Sequence, residues 1–533
     1  MNMKEQPMNI RKLTLILFLS LGLIAPVAAQ TTPDEITLSL RIRDAKTGQV
    51  VVKPLKIDPR KVGIVIVDPW NYHWCMTWTE QAGGMTPRMN RALQGCRKLG
   101  MTVLWGPTDS ASMFSGWPQR QRAMAVPYVP VPNVRKAECR WTVPGGNCLC
   151  GPGPACVVNY GWDGMDPRLE ITENDLIVSG TQELYSICKA RGITLLIYFG
   201  GATNICLTGK DVGLGPMYAA GLDTIFARDL AFAWTTYNPA TGYTPSTGNA
   251  QAADDLERAQ IPTMMMIEEL RKLGLWDDRW VTEPVRITPA GKPDRPYLFE
   301  KSVAVWLDAP FLEGAEFHYT LDGGEPTASS PKFGAPINLA DTTTLRAAAF
   351  RNGRKVALDG SAQFVRLPPL PPKPDVPLDG LTPVPDLYGK LNTTFAACLW
   401  QPQKDTSYDG QPPRIRNARY AKGYGMRAPA YLRYELKPEW SRFVALAGVD
   451  DNMLSRELGR SIAMYPSVVF KVFIDGRLAA ESPVTRISQA PWRFDVPIPP
   501  GSRQIVLVCD DAGSRSPYDL GNWVETGFML DKK

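Results

Sequence analysis

Histidine is almost missing from this 533-residue chain: His73 and His318 are its only two. Basic runs and basic–aromatic ladders are missing as well, which excludes a nucleic-acid-binding surface. The formal net charge is +6, and the leader described below holds three basic residues and one acid, leaving about +4 spread thinly over the rest. Beyond residue 24 no apolar run is long enough to span a bilayer, so the sequence predicts no membrane span after leader removal. No motif asks for a nucleotide, flavin or metal, and no cofactor is expected.

Residues 1–29 read as a secretory leader. Lys4, Arg11 and Lys12 precede the apolar run Leu13–Ile24, and Pro26-Val27-Ala28-Ala29 supplies a small-residue cleavage signal after Ala29. The expected location is therefore outside the cytoplasm, periplasmic or secreted. Ten cysteines suit such a compartment. Cys139, Cys148, Cys150 and Cys156 crowd one Gly- and Pro-rich stretch, and two disulfides within that loop are expected. A zinc knuckle is the rival reading, although no histidine or second C-x-x-C accompanies them. Cys75, Cys96, Cys188, Cys206, Cys398 and Cys509 read as free or buried thiols.

The length predicts several domains. Thr31–Pro59 reads as an extended, polar lead-in. Strands are expected at Lys61–Val67, Met101–Trp105, Asp175–Val178, Ile193–Phe199 and Asp223–Ala227, with helices at Thr86–Leu99, Thr181–Arg191 and Cys206–Ala220. Strand alternating with helix predicts a parallel sheet covered on both faces. In such sheets ligands bind beyond the strands' carboxyl ends. Asp68 and Cys206 both fall there, each just past a buried strand. A cysteine at the turn Gly200-Gly201-Ala202-Thr203-Asn204-Ile205-Cys206 meets the positive end of a helix, which lowers its pKa and offers amides to an oxyanion. A small buried hydrophobe is the alternative reading of Cys206.

IVIVD at the first strand's end and GGATNIC before the helix resemble the isochorismatase-like cysteine hydrolases over roughly Leu55–Leu275. That resemblance implies an α/β Rossmann-like three-layer fold and an Asp–Lys–Cys triad, with Asp68 as base and Cys206 as nucleophile. It also implies a cis bond at Gly201–Ala202, with nearby amides, including that of Cys206, forming an oxyanion hole. The family's lysine is missing from its usual place, where Asn174–Thr181 reads NDLIVSGT. His73, in the HWC triplet, is a candidate acid/base or substrate contact, or else a packed loop residue. Lys210 reads as solvated or salt-bridged, and Asp229 as a loop-fixing acid.

Further on, HYTLDGGEPTASSPKF and TTTLRAAAFRNG resemble the chitobiase/β-hexosaminidase C-terminal type of β-sandwich, with His318 on a strand. LPPLPPKPDVPLDGLTPVP at Leu367–Pro385 is a proline-rich linker. GYGMRAPAYLRYEL, VVFKVFIDGRLAAES and YDLGNWVETGF resemble the NPCBM carbohydrate-binding type of β-sandwich. One departure is Leu520, where a histidine often stands. Tyr424, Trp492 and Trp523 are its sugar-stacking candidates, with Trp523 equally readable as core. The expected layout is a leader at 1–29, the α/β domain at 30–282, a β-sandwich at 283–366, the linker at 367–385 and a second β-sandwich at 386–533. Two functions follow. One is an exported cysteine hydrolase, cleaving an amide-like C–N or related C–O bond in a small or glycan-linked substrate near a cell-envelope polysaccharide. The other is a non-catalytic, glycan-associated scaffold with a degenerate hydrolase domain. The fold family also suggests homo-oligomers.

Overall fold

The computed structural model describes residues 33–70, 73–136, 138–156, 164–310, 312, 314–385, 401–452, 466–514 and 518–531. The leader, Cys398 and the first part of the last segment lie outside them. The chain is multidomain and largely β-sheet.

The first unit is built on strands β1 (Ile36–Arg43), β2 (Val50–Ile57), β3 (Val62–Val67), β4 (Thr102–Gly106), β5 (Leu176–Ile177), β6 (Leu195–Gly201), β7 (Asp223–Phe232) and β8 (Thr263–Met264). Their order is β2-β1-β8-β7-β6-β3-β4-β5, with every neighbouring pair from β8 to β5 parallel. Helices α1 (Met76–Lys98), α2 (Pro118–Met124), α3 (Thr181–Arg191), α4 (Cys206–Gly209), α5 (Leu214–Ala219), α6 (Pro245–Arg258) and α7 (Met266–Lys272) connect and cover it. β3 and β6 are buried along their whole length, as continuous β-branched and aromatic runs require. From β3 the chain moves outward to β4 and β5, then returns to β6 on β3's other side. That reversal makes the carboxyl ends of β3 and β6 the topological switch point, where ligands bind in such sheets.

Three expectations are corrected here. The lead-in is an antiparallel hairpin, β1–β2, that extends the sheet through β8. α1 starts ten residues earlier than expected, because Gly83-Gly84 and Pro87 interrupt its pattern without breaking it. Trp78, Met85, Met89 and Leu93 still form one buried stripe. The helix after Cys206 is two short pieces separated by Lys210–Gly213, where Lys210 is extended.

Gly200 is dictated by the close approach of β6 to β3. Its φ is +99°, and a Cβ there would lie 2.2 Å from the Val67 carbonyl oxygen. Gly200→Ala is expected to cost about 3 kcal/mol or more of stability, read from a urea unfolding curve.

Strands β9 (Arg286–Thr288), β10 (Tyr297–Phe299), β11 (Val303–Asp308), β12 (Glu316–Thr320), β13 (Ile337–Leu339), β14 (Thr343–Arg351), β15 (Arg354–Lys355) and β16 (Gly360–Arg366) form two facing sheets. Val305, Leu307, Leu345, Ala347 and Phe364 fill their core. His318 on β12 is buried, with Nδ1 2.7 Å from the Ser330 carbonyl, and is a structural residue. The proline-rich stretch is not a free spacer: Val376–Pro377 pairs with the last strand, Leu520–Leu530. In the final segment, Trp440–Val449 lies between Trp492–Pro497 and Leu520–Leu530 in one sheet. Gln504–Asp510 lies between Ala430–Glu435 and Ser467–Ile474 in the other.

Candidate active site and glycan-binding modules

Asp68 is the first residue beyond β3 and has φ +45°, a left-handed turn that a short polar side chain tolerates. Its amide donates to the Gly106 carbonyl at 3.1 Å, tying it to the end of β4. Cys206 begins α4, directly beyond β6. Thr203 and Asn204 fix that turn from the far side. Thr203 Oγ1 donates to the Phe232 carbonyl and to Asn249 Oδ1, while Asn204 exchanges two 2.9 Å hydrogen bonds with the backbone of Trp234. The Gly201–Ala202 peptide is cis. The Ala202 amide donates to the Cys206 sulfur.

Lys210 completes the group. Its Nζ lies 3.1 Å from Asp68 Oδ2, 2.9 Å from Thr108 Oγ1 and 2.7 Å from Asp109 Oδ2. Thr108 Oγ1 in turn donates to Asp68 Oδ1. The cation absent from the stretch before β6 is thus supplied one helical turn after the cysteine. Of the two readings of Lys210, solvated or salt-bridged, the structure shows the salt-bridged one. α4 is a single turn, so Lys210 follows it on the Cys206 side and reaches across to β3. Thr108 and Asp109, at the end of β4, were not singled out by the sequence. Their position at a strand's carboxyl end was the available signal.

The electrostatics also differ from expectation. Burial pushes the Cys206 thiol up to about 12, the Asp68 charge adds to that, and Lys210 opposes it. A one-turn helix cannot outweigh these. Burial, the largest influence on Asp68, raises its carboxyl above the usual range against the pull of Lys210, Thr108 and Cys206. Burial opposes the Lys210 charge, but Asp68, Cys206 and Asp109 outweigh it and raise its pKa. At rest the Cys206 thiol is un-ionised and lies beside the Asp68–Lys210 pair, whose atoms are 3.1 Å apart.

His73 is buried within an aromatic wall formed by Trp70, Trp74, Phe232 and Trp234, with ring centroids 4.7–5.6 Å apart. Its Nδ1 accepts from the Cys75 amide at 3.0 Å. Burial drives its pKa down to about 3, so the ring is neutral at pH 7. The ring is thus packed in this wall with Nδ1 taken by the Cys75 amide. The wall reaches the site through Phe232, whose ring would meet a Cβ on Gly201 at 2.3 Å. Asp229 accepts from the amides of Met266 and Ile267 and caps α7, the loop-fixing role expected of it.

The cysteine expectation is corrected too. Among the described residues all cysteines are free thiols. Cys139 stands apart, and Cys75 instead joins Cys148, Cys150 and Cys156.

In the last segment Trp523 has no exposed surface and packs among Phe443, Phe470 and Phe494. Tyr424 is 2% exposed, on the strand paired with Trp523. The Trp523 ring is closed to a sugar, because alternation turned it toward the core, whereas Tyr424, although little exposed, is among the residues lining a cleft. Trp492 is half-buried against Leu298, Val365, Leu367 and Ala490. An open cleft of about 470 Å³ does exist, lined by Asp379, Tyr420, Lys422 and Glu525 among others.

Comparison with known proteins assigns the two β segments. Residues 389–529 match the NPCBM/NEW2 domain, and residues 300–357 match the chitobiase/beta-hexosaminidase C-terminal domain. The chain carries both domains. A "Putative endo-alpha-N-acetylgalactosaminidase" of Renibacterium salmoninarum is 27% identical over 121 residues, which are 23% of this chain and 7% of that protein. The chain thus spans a small part of that relative. Among solved structures, a CBM51 from Clostridium perfringens GH95 in complex with methyl-galactose is 24% identical. The match covers 29% of this chain and 99% of that one, with a TM-score of 0.23. An isochorismatase family protein from Burkholderia thailandensis is 18% identical over 38% of this chain and 96% of that one, with a TM-score of 0.21. Among the described residues no helix is long and apolar enough to cross a membrane.

The same segment yields a pH prediction. Burial raises Asp450 to about 7 and Asp451 to about 6. Unfolded carboxylates titrate near 3.9, so between about pH 4 and 7 the folded state holds more protons. Stability from these groups is present at low pH and lost as pH rises through that window. Thermal unfolding followed from pH 5 to 8 is expected to show a falling Tm, and Asp450→Asn to flatten the slope.

Proposed function

We propose that this chain is an exported cysteine hydrolase of the isochorismatase-like type, cleaving an amide-like C–N or related C–O bond close to a glycan. The observation that carries this reading is the Lys210–Asp68 pair at 3.1 Å beside Cys206. A degenerate scaffold has no physical need to bury a carboxylate and an ammonium next to a thiol, since buried charge is costly.

In the reaction Asp68 takes the Cys206 proton as sulfur adds to the substrate carbonyl. The Ala202 and Cys206 amides are the candidate donors to the oxyanion. Collapse breaks the C–N bond, the amine leaves with the proton held by Asp68, and a thioester remains on Cys206. Asp68 then deprotonates water, which adds to the thioester. The acid is released, and the proton returns to the thiol. Lys210, 3.1 Å away, opposes the rise that burial imposes on the Asp68 carboxyl. The NPCBM and chitobiase C-terminal domains support glycan association, and the cleft beside Tyr420 is the candidate sugar site, with hydroxyl-binding groups on several sides.

A screen of small and glycan-linked amides tests the proposal. Turnover that vanishes in Cys206→Ala, with an acyl mass trapped on Cys206 in the intact chain, is the expected result. Glycan binding without turnover of any amide or ester would favour the scaffold reading.

A further inference from the structure

We infer that Cys75, Cys148, Cys150 and Cys156 form a four-thiolate zinc site that pins the long loop between β4 and β5 to the head of α1. Cys75 is the residue before α1, and the other three come from the loop. The sulfurs of Cys75, Cys148 and Cys150 all lie within 4.8 Å of one another. Cys148 and Cys156 are 3.3 Å apart, and Cys75 and Cys150 are 3.6 Å apart. A disulfide needs about 2.05 Å. Four sulfurs at about 2.3 Å from one zinc stand about 3.8 Å from each other. Cys75, Cys148 and Cys150 are grouped for this, whereas Cys156 approaches through Cys148, stands outside that mutual 4.8 Å group and would swing in to complete the set.

The surroundings suit thiolates. The Met76 amide donates to Cys150 Sγ at 3.2 Å, the Leu149 amide to Cys75 Sγ at 3.3 Å and the Cys156 amide to Cys148 Sγ at 3.5 Å. Backbone donors of this kind orient metal-bound sulfur and disperse its charge. Zinc held by four thiolates carries two net negative charges after four protons are released. Arg416, 2% exposed, brings a fixed positive charge to the site's edge, donating to the Cys150 carbonyl at 3.1 Å and the Gly151 carbonyl at 2.7 Å. Cys156 also faces the Ser488 carbonyl at 3.7 Å. The site therefore sits where the α/β unit meets the NPCBM segment, and the zinc would be structural, closed to substrate. Cys139, which sequence grouped with these cysteines, has no place in it.

The test uses the full mature chain, purified without chelator or reductant. Elemental analysis is expected to find one zinc per chain, with the four thiols protected from alkylation until the metal is stripped in denaturant. Exchange with cobalt(II) is expected to produce sulfur-to-metal charge-transfer absorption. Cys150→Ser is expected to lose the metal and lower Tm. Should that variant fail to fold, the wild-type metal content and thiol state still decide. Disulfide-linked peptides joining Cys75 to Cys150 and Cys148 to Cys156, with no bound zinc, would overturn the inference. So would iron in zinc's place.

Discussion

Asp68→Asn is expected, under the proposed function, to lower amide hydrolysis by about 10²–10⁴-fold, the range for loss of a general base. The thiol of Cys206 is pushed up to about 12. At pH 7 the free thiolate is then roughly one part in 10⁵, too little to sustain turnover without proton transfer to a neighbour. Asp68 is that neighbour. Asparagine keeps the size and one acceptor oxygen but cannot take the proton. Lys210→Met acts on the same step differently. Without the ammonium, burial raises the Asp68 carboxyl further, so the acid limb of the pH–rate profile moves to higher pH and activity at neutral pH falls. Lys210→Arg restores the charge and is expected to recover part of the loss. A lysine that merely decorated the surface would leave the profile in place.

Trp523→Ala carries the second large effect, on stability. The ring is wholly buried against three phenylalanines on the strand that joins Gly423–Arg427 to Trp440–Val449. Truncating such a ring costs about 3–5 kcal/mol through lost burial and the cavity left behind. Urea denaturation is expected to show that loss. Any loss of glycan binding should track the unfolded fraction. Tyr420→Ala, at the open cleft, is expected to do the reverse, weakening glycan binding with little change in stability. Selective loss of binding in a well-folded Trp523→Ala protein would contradict this placement.

Strong periodicity made much of the fold legible. β3, β6 and α3 follow from unbroken apolar runs and a glycine stop. The first turns of α1 were hidden because glycine and proline lower local helix preference, whereas burial of Trp78 and Met85 overrides it. Asp68 and Cys206 were legible because each follows a buried strand. Lys210 was not, because its role depends on α4 ending after one turn. That break is flanked by Gly209, Gly213, Gly215 and Pro216, breaker residues that a single-helix reading of Cys206–Ala220 passed over. Cys75 was separated from its partners by more than seventy residues, so only the fold could bring it to Cys148 and Cys150. Trp523 could be read from sequence as sugar-stacking or as core, and the structure places it in the core. An aromatic on an alternating strand faces either core or solvent, and one register step decides which.

The pH dependence of iodoacetamide alkylation at Cys206, in wild type, Asp68→Asn and Lys210→Met, tests the catalytic account most directly. Wild-type Cys206 should titrate far above the ordinary thiol range, toward about 12. Asp68→Asn removes the adjacent negative charge, so the thiol pKa should fall and alkylation at pH 8 should quicken even as hydrolysis is lost. Lys210→Met should move it the other way. Three superimposable profiles centred near the ordinary thiol value of about 8.5 would show that neither charge reaches the sulfur, and the triad would have to be abandoned.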